Sequence, residues 1–321
     1  MNMTLCETLS KFANLKEFKY NKSIITHHSI ISFNLSAKCL NDKNNKIREN
    51  IIGAVINNKV PEDYYIIQKW SYIKQIINKW ITQLNQLNID NKECNAINCL
   101  HKAGRNNNHD FDITLFYNDL TQETFKVELK FNAQTIDCAP QFVSPMKPSQ
   151  YMSNSYEEYF YKNYLPKIAE AANLLMPDEI SYLNQIHSNS PKCMKLYQDL
   201  YYQGCKQSSK FTNDERAIKF YELCKNMSNE SIREFIEFTD LNINMLTEYL
   251  FSTQKNKIYM LYYNKAFILQ TPNMENYIIE SVNKMPSKYR YECITKSGKT
   301  LNVLLRWKNG NGIAFPAFQI S

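Results

Sequence analysis

"HDFDITLFYNDLTQETFKVELKF" (109–131) decides the architecture of this chain. Two runs in it alternate polar and apolar residues, the period of a half-buried strand. In the first run Phe111, Ile113, Leu115 and Tyr117 share one face; Asp110, Asp112, Thr114 and Phe116 share the other. In the second run Phe125, Val127, Leu129 and Phe131 share one face, and Lys126, Glu128 and Lys130 share the other. A hairpin that buries both apolar faces puts both charged faces together. Two antiparallel registers with workable loops align them. One sets Asp112 directly opposite Glu128, the other directly opposite Lys130. Either register gathers Asp112, Glu128 and Lys130 into one patch, so Asp112 is the leading aspartate. Asp110 is its alternate.

The patch has a chemical use. Two carboxylates a few ångströms apart repel unless a cation lies between them. Mg²⁺ takes oxygen ligands and keeps several waters, so two carboxylates plus phosphate oxygens suit it. A lysine alongside can orient an attacking water and offset negative charge.

Outward from the hairpin, the period changes. Residues 44–60 read as helical. Beyond Pro61, which a first helical turn tolerates, Ile66, Trp70, Ile73, Ile77, Trp80, Ile81, Leu84 and Leu87 recur at helical spacing over several turns, predicting a long amphipathic helix. Three prolines within 140–148 mark a loop. From Tyr156 to about Phe251 the pattern is helical. "TNDE" (212–215) resembles a capping box, and "SNES" (228–231) precedes a further helical run, "IREFIEF". "KIYMLYYNKAFILQ" (257–270) and the stretch from Tyr289 onward return to strands, with turns at Ser297-Gly298 and at Asn309 to Gly312. "SGKT" (297–300) is a hairpin turn and not a phosphate loop, because Cys293 stands where that loop needs glycine. The expected class is α/β or α+β, with a helical insertion and a C-terminal β-rich segment. The expected division is 1–150 as the core, 151–252 as the helical region and 253–321 as the β-rich segment.

Asp112 followed after fifteen intervening residues by Glu128-Leu129-Lys130 resembles the PD-(D/E)XK nuclease superfamily of restriction enzymes, junction resolvases and repair nucleases. Phe111 stands in place of that motif's proline. The resemblance covers roughly residues 45–142. It implies a restriction-endonuclease-like core with a mixed central sheet flanked by helices. It implies Asp112 and Glu128 as ligands of Mg²⁺, with Mn²⁺ as a substitute, and Lys130 as the residue that positions water. A glutamate from the preceding helix sometimes joins such a site, and Glu49 is the candidate; Gln134 and Gln141 follow the lysine where some members carry a glutamine. The implied activity is metal-dependent endonucleolytic hydrolysis of DNA, restriction-type and therefore compatible with a homodimer. Branched DNA or RNA is an alternative substrate, and a non-catalytic nucleic-acid-binding protein is the alternative outside enzymes.

Other features agree with a polyanionic partner. The chain carries 38 basic against 31 acidic residues, a net charge of +7. Lys102 and Arg105 lie just before the acidic patch, where they can hold phosphates. Arg306, Trp307 and Lys308 form a basic-aromatic group that reads first as a strand end with Trp307 buried. Nine cysteines with no CxxC pair fit neither a secreted disulfide scaffold nor a zinc ribbon. No apolar run approaches a membrane span and no signal-peptide core opens the sequence, so the expectation is a soluble intracellular protein, cytoplasmic or nuclear.

Overall fold

A computed structural model describes residues 15–35, 41–88, 92–102, 107–138, 147–171, 173, 175–185, 215–308 and 315–320. The chain forms two compact units. The first comprises residues 1–139 and 253–272, the second 140–252 and 273–321.

The first unit is α/β. A small ribbon, β1 (Phe18–Tyr20) and β2 (Ser23–Ile25), precedes the helix α1 (Asn41–Ile56). A 3₁₀ turn (Glu62–Ile66) follows Pro61, and the helix α2 (Gln68–Asn85) starts after it. The predicted amphipathic helix thus begins at Gln68. Trp70, Ile73, Ile77, Trp80 and Leu84 form its buried stripe, and Ile66 and Leu87 stay exposed.

Five strands follow: β3 (Cys94–His101), β4 (Phe111–Tyr117), β5 (Gln122–Phe131), β6 (Lys257–Tyr263) and β7 (Ala266–Gln270). They form one sheet in the order β3-β4-β5-β6-β7. Every neighbouring pair is antiparallel except β5 and β6, which are parallel. A parallel pair needs a long crossover, and the 125 residues from 132 to 256 supply it. β6 is central and buried along almost its whole length, which is why it reads as a continuous apolar run. One sheet face carries Phe111, Ile113, Leu115, Val127, Ile258 and Met260, and packs with the buried residues of α1 and α2. Tyr259 and Leu261, on the other face, pack with Ala133 and Ile136. The outer edge of β3 is blunted by Asn57, whose amide exchanges hydrogen bonds of 2.7 and 2.8 Å with the Cys99 backbone.

In the second unit the helices α3 (Tyr156–Asn163), α4 (Leu165–Ala171), α5 (Glu179–Gln185), α6 (Glu215–Phe238) and α7 (Ile243–Gln254) share a core with an antiparallel sheet. That sheet holds β8 (Ile279–Met285), β9 (Arg290–Thr295), β10 (Thr300–Lys308) and β11 (Phe315–Ile320). Ser297 and Gly298 turn between β9 and β10, with Gly298 at φ +80°. Trp307 is buried and donates Nε1–H to the Tyr156 hydroxyl at 2.9 Å.

Two expectations are corrected. Residues 253–272 do not belong with the C-terminal strands: β6 and β7 complete the first unit's sheet, and the remaining β-strands join the helical region instead. "SNES" starts no helix, because α6 runs through it without a break. Ser228 and Ser231 donate back to the carbonyls of Cys224 and Ser228, so their hydroxyls are satisfied within the helix. The other residues of the capping-box candidate and the Asn309–Gly312 turn lie outside the described residues. No helix among the described residues is long and apolar enough to cross a membrane.

Candidate active site

The register of β4 and β5 decides which charges meet. Asp112 pairs with Lys126, and Phe111 with Val127. Neither expected register occurs; the strands lie at least two residues away from both. Alternation cannot separate these registers, because a slip of two keeps every apolar residue on its face. The turn separates them. Tyr117 N–H bonds the Thr121 carbonyl at 2.9 Å, which leaves Asn118, Asp119 and Leu120 to close the loop. Leu120 takes the left-handed conformation, φ +67°, that usually calls for Gly or Asn. The Asp119 carboxylate accepts the Thr121 N–H at 3.0 Å.

This register brings Asp110, not Asp112, to Glu128. Asp110 N–H bonds the Val127 carbonyl at 2.9 Å. Its Oδ2 accepts the Leu129 N–H at 2.8 Å, so the carboxylate itself extends the ladder just before β4 begins. Burial pushes the Asp110 carboxyl up to about 6, and the charges of Glu49 and Glu128 push the same way. The Leu129 N–H and Lys130 oppose the rise. Glu49, on α1, is buried and its carboxyl is also raised by burial, against a 3.1 Å ion pair with Lys46. Arg48, beside it in sequence, points elsewhere, donating to the Ser32 carbonyl and lying 3.4 Å over the Phe131 ring.

Glu128 sits between two ammonium groups. Lys130 pairs with Oε1, and Lys257, from β6, pairs with Oε2 at 2.6 Å. The Lys257 side chain is 3% exposed, and that burial lowers its pKa while Glu128 holds it up. Sequence reasoning missed Lys257. The only trace is a lysine opening an otherwise apolar strand, and only the parallel pairing of β5 with β6 places it on the same face as Glu128.

Asp112 belongs to a neighbouring group. Its Oδ1 lies 2.7 Å from His109 Nε2, and its Oδ2 lies 3.2 Å from Lys102 Nζ. The structure therefore places Lys102 on Asp112, while its backbone N–H bonds the Asp110 carbonyl at 2.8 Å. Gln134 is exposed. Arg105 and Gln141 lie outside the described residues.

Glu49, Asp110 and Glu128 supply only oxygen donors, the chemistry of a hard divalent cation. Among the described residues no group of three or more His, Cys, Asp or Glu side chains stands ready to hold a metal ion. Mg²⁺ does not require one. It commonly rests on one or two carboxylates, with water and substrate phosphate completing its shell. No protein-family model matches this chain, and no curated protein and no solved structure shows detectable similarity to it.

Proposed function

We propose that the protein is a divalent-metal-dependent nuclease that hydrolyses phosphodiester bonds of DNA, with double-stranded DNA as substrate and a restriction-type endonuclease as the leading form. The observation that carries this reading is the convergence of Asp110, Glu128 and Lys130 at one end of a mixed sheet, with the Asp110 carboxyl pushed up to about 6 by burial and, after it, by the charges of Glu49 and Glu128. The mixed five-stranded sheet with α1 and α2 packed on it supports the reading at the level of fold class.

Asp110 and Glu128 would hold Mg²⁺, with Glu49 near enough in charge to add to its attraction. Bound there, the ion supplies Lewis acidity at the scissile phosphate and a water of lowered pKa. The Leu129 N–H fixes the Asp110 carboxylate through Oδ2. Lys130 orients the attacking water or offsets charge that develops on the phosphate oxygens. Lys102 stands close by, as a phosphate contact, in equilibrium with its pairing to Asp112.

A second reading draws on one observation. Both oxygens of Glu128 already hold ammonium partners, as expected if the fold serves only to bind nucleic acid.

The test is plasmid DNA, with and without Mg²⁺, against wild type and four variants. Asp110→Ala, Glu128→Gln and Lys130→Ala each lower the cleavage rate by about a hundredfold or more, on the scale of lost transition-state contacts. Asp112→Ala has a smaller effect. Cleavage that survives all three substitutions, or that ignores Mg²⁺, overturns the assignment. Tight DNA binding without cleavage of any DNA or RNA favours the second reading.

A further inference from the structure

We propose that Lys257 is a resident counter-ion of this site, and that a divalent cation bound to Glu128 displaces its ammonium from Oε2. The inference rests on the nuclease reading above and names the group that gates its metal.

Lys257 opens β6 and pairs with Lys126 in the parallel ladder. Residues paired across that ladder share a face, so Lys257, Tyr259 and Leu261 point the same way as Lys126, Glu128 and Lys130. Its Nζ is 2.6 Å from Glu128 Oε2 and 5.7 Å from the centre of the Tyr259 ring. A buried ammonium is costly unless an anion meets it, and removing either partner strands the other. The ion pair thereby holds the Glu128 side chain in place before any metal arrives.

A cation ligated by Oε2 needs the lone pairs that Lys257 now uses. Two positive groups cannot occupy that oxygen within about 3 Å of each other without strong repulsion. Lysine is suited to yield: its ammonium is a point charge on a flexible four-carbon stem, unlike the fixed fork of arginine. Lys130, two residues along β5 from Glu128, pairs with the other oxygen and need not move.

A merely structural ion pair and a displaceable counter-ion differ in one measurable respect. In the first case, removing Lys257 damages the site and weakens metal binding. In the second, it removes the competitor. The experiment is a Mn²⁺ titration of the full chain, read by the electron paramagnetic resonance of free Mn²⁺, with thermal melting in parallel. Wild type, Lys257→Met, Lys257→Arg and Glu128→Gln are compared. Lys257→Met is expected to bind Mn²⁺ about tenfold more tightly than wild type or better, from the loss of one repelling charge. It melts lower than wild type in chelator and gains more from Mn²⁺. Lys257→Arg, which keeps the charge, shows no gain, and Glu128→Gln loses the site.

Mn²⁺ binding by wild type that is equal or weaker in Lys257→Met overturns the counter-ion role and leaves the nuclease reading standing. Absence of Mn²⁺ binding in every protein removes the metal-dependent reading and the counter-ion role together. Should Lys257→Met not fold in chelator, refolding is run with and without Mn²⁺. Recovery only with the metal supports displacement, and no recovery overturns it.

Discussion

Asp110→Asn should stabilise the metal-free protein at neutral pH, although it removes the central carboxylate of the candidate site. In the folded chain the Asp110 carboxyl moves from its ordinary 3.8 to about 6. A carboxyl raised on folding keeps its proton longer in the folded state than in the unfolded one. Its favourable contribution is therefore present below pH 4 and is lost as pH rises through about 6. The displacement corresponds to about 3 kcal/mol as an upper figure, and to about 1–2 kcal/mol once solvent screening and relaxation are allowed for. Asparagine imitates the protonated carboxyl. Its Oδ1 still accepts the Leu129 N–H that Oδ2 accepts now, so the ladder contact survives, while the cost of burying a charge there and the repulsion from Glu49 and Glu128 do not. The assay is urea denaturation in chelator from pH 4 to 8, followed by tryptophan fluorescence; Trp70 and Trp80 are both buried in this unit. The variant should exceed wild type by about 1–2 kcal/mol at pH 7.5, and the two should converge toward pH 4. A variant that is less stable than wild type at pH 7.5, or a difference that does not change with pH, refutes the electrostatic account of the cluster.

Leu120→Gly should raise stability by about 0.5–1 kcal/mol in the same assay, because Leu120 is 95% exposed and takes a left-handed φ of +67° that costs a side chain but not glycine. Gly53→Ala should destabilise by about 1–3 kcal/mol: a Cβ there would lie 2.5 Å from His101 Nε2 and 2.7 Å from the Tyr20 hydroxyl oxygen, so the His101 and Tyr20 side chains or α1 would have to shift. Trp307→Phe should lower the melting temperature, through about 1–2 kcal/mol of lost packing and the lost bond to Tyr156. It should leave nucleic-acid affinity unchanged in a filter-binding or anisotropy measurement, because a buried indole cannot stack on a base.

The alternation of residues 111–117 and 125–131 was enough to predict two strands, their faces and the meeting of Glu128 with Lys130, but not which aspartate joins them. The buried stripe of α2 was equally visible, since Trp70, Ile73, Ile77, Trp80 and Leu84 keep helical spacing whatever lies beyond them. What failed was the choice among registers two residues apart. That choice rests on backbone conformation at Leu120, and leucine gives no sign of a left-handed turn as Gly or Asn would. The division into units failed for a different reason. β5 and β6 are adjacent in the sheet but more than a hundred residues apart in sequence, and no local pattern says which distant apolar run pairs with which. Lys257 was hidden by the same gap.

The two failures have one consequence for the site. In the sequence Asp110 and Asp112 stand two residues apart in one alternating run, and either could have led the acidic group. The turn places Lys126 opposite Asp112, whose carboxylate meets His109 and Lys102. Asp110 lies just before the first residue of β4, where its carboxylate can take the Leu129 N–H and feel the charge of Glu49. Position then determines charge. The aspartate within the strand pairs with Lys102 and His109, while the one at the strand end is pushed up to about 6 by burial first and then by the charges of Glu49 and Glu128. Of the two, only Asp110 stands where an added divalent cation would relieve repulsion. At Asp112 the same cation would compete with His109 and Lys102, and that asymmetry, more than the spacing of the motif, is why Asp110 rather than Asp112 is the proposed metal ligand.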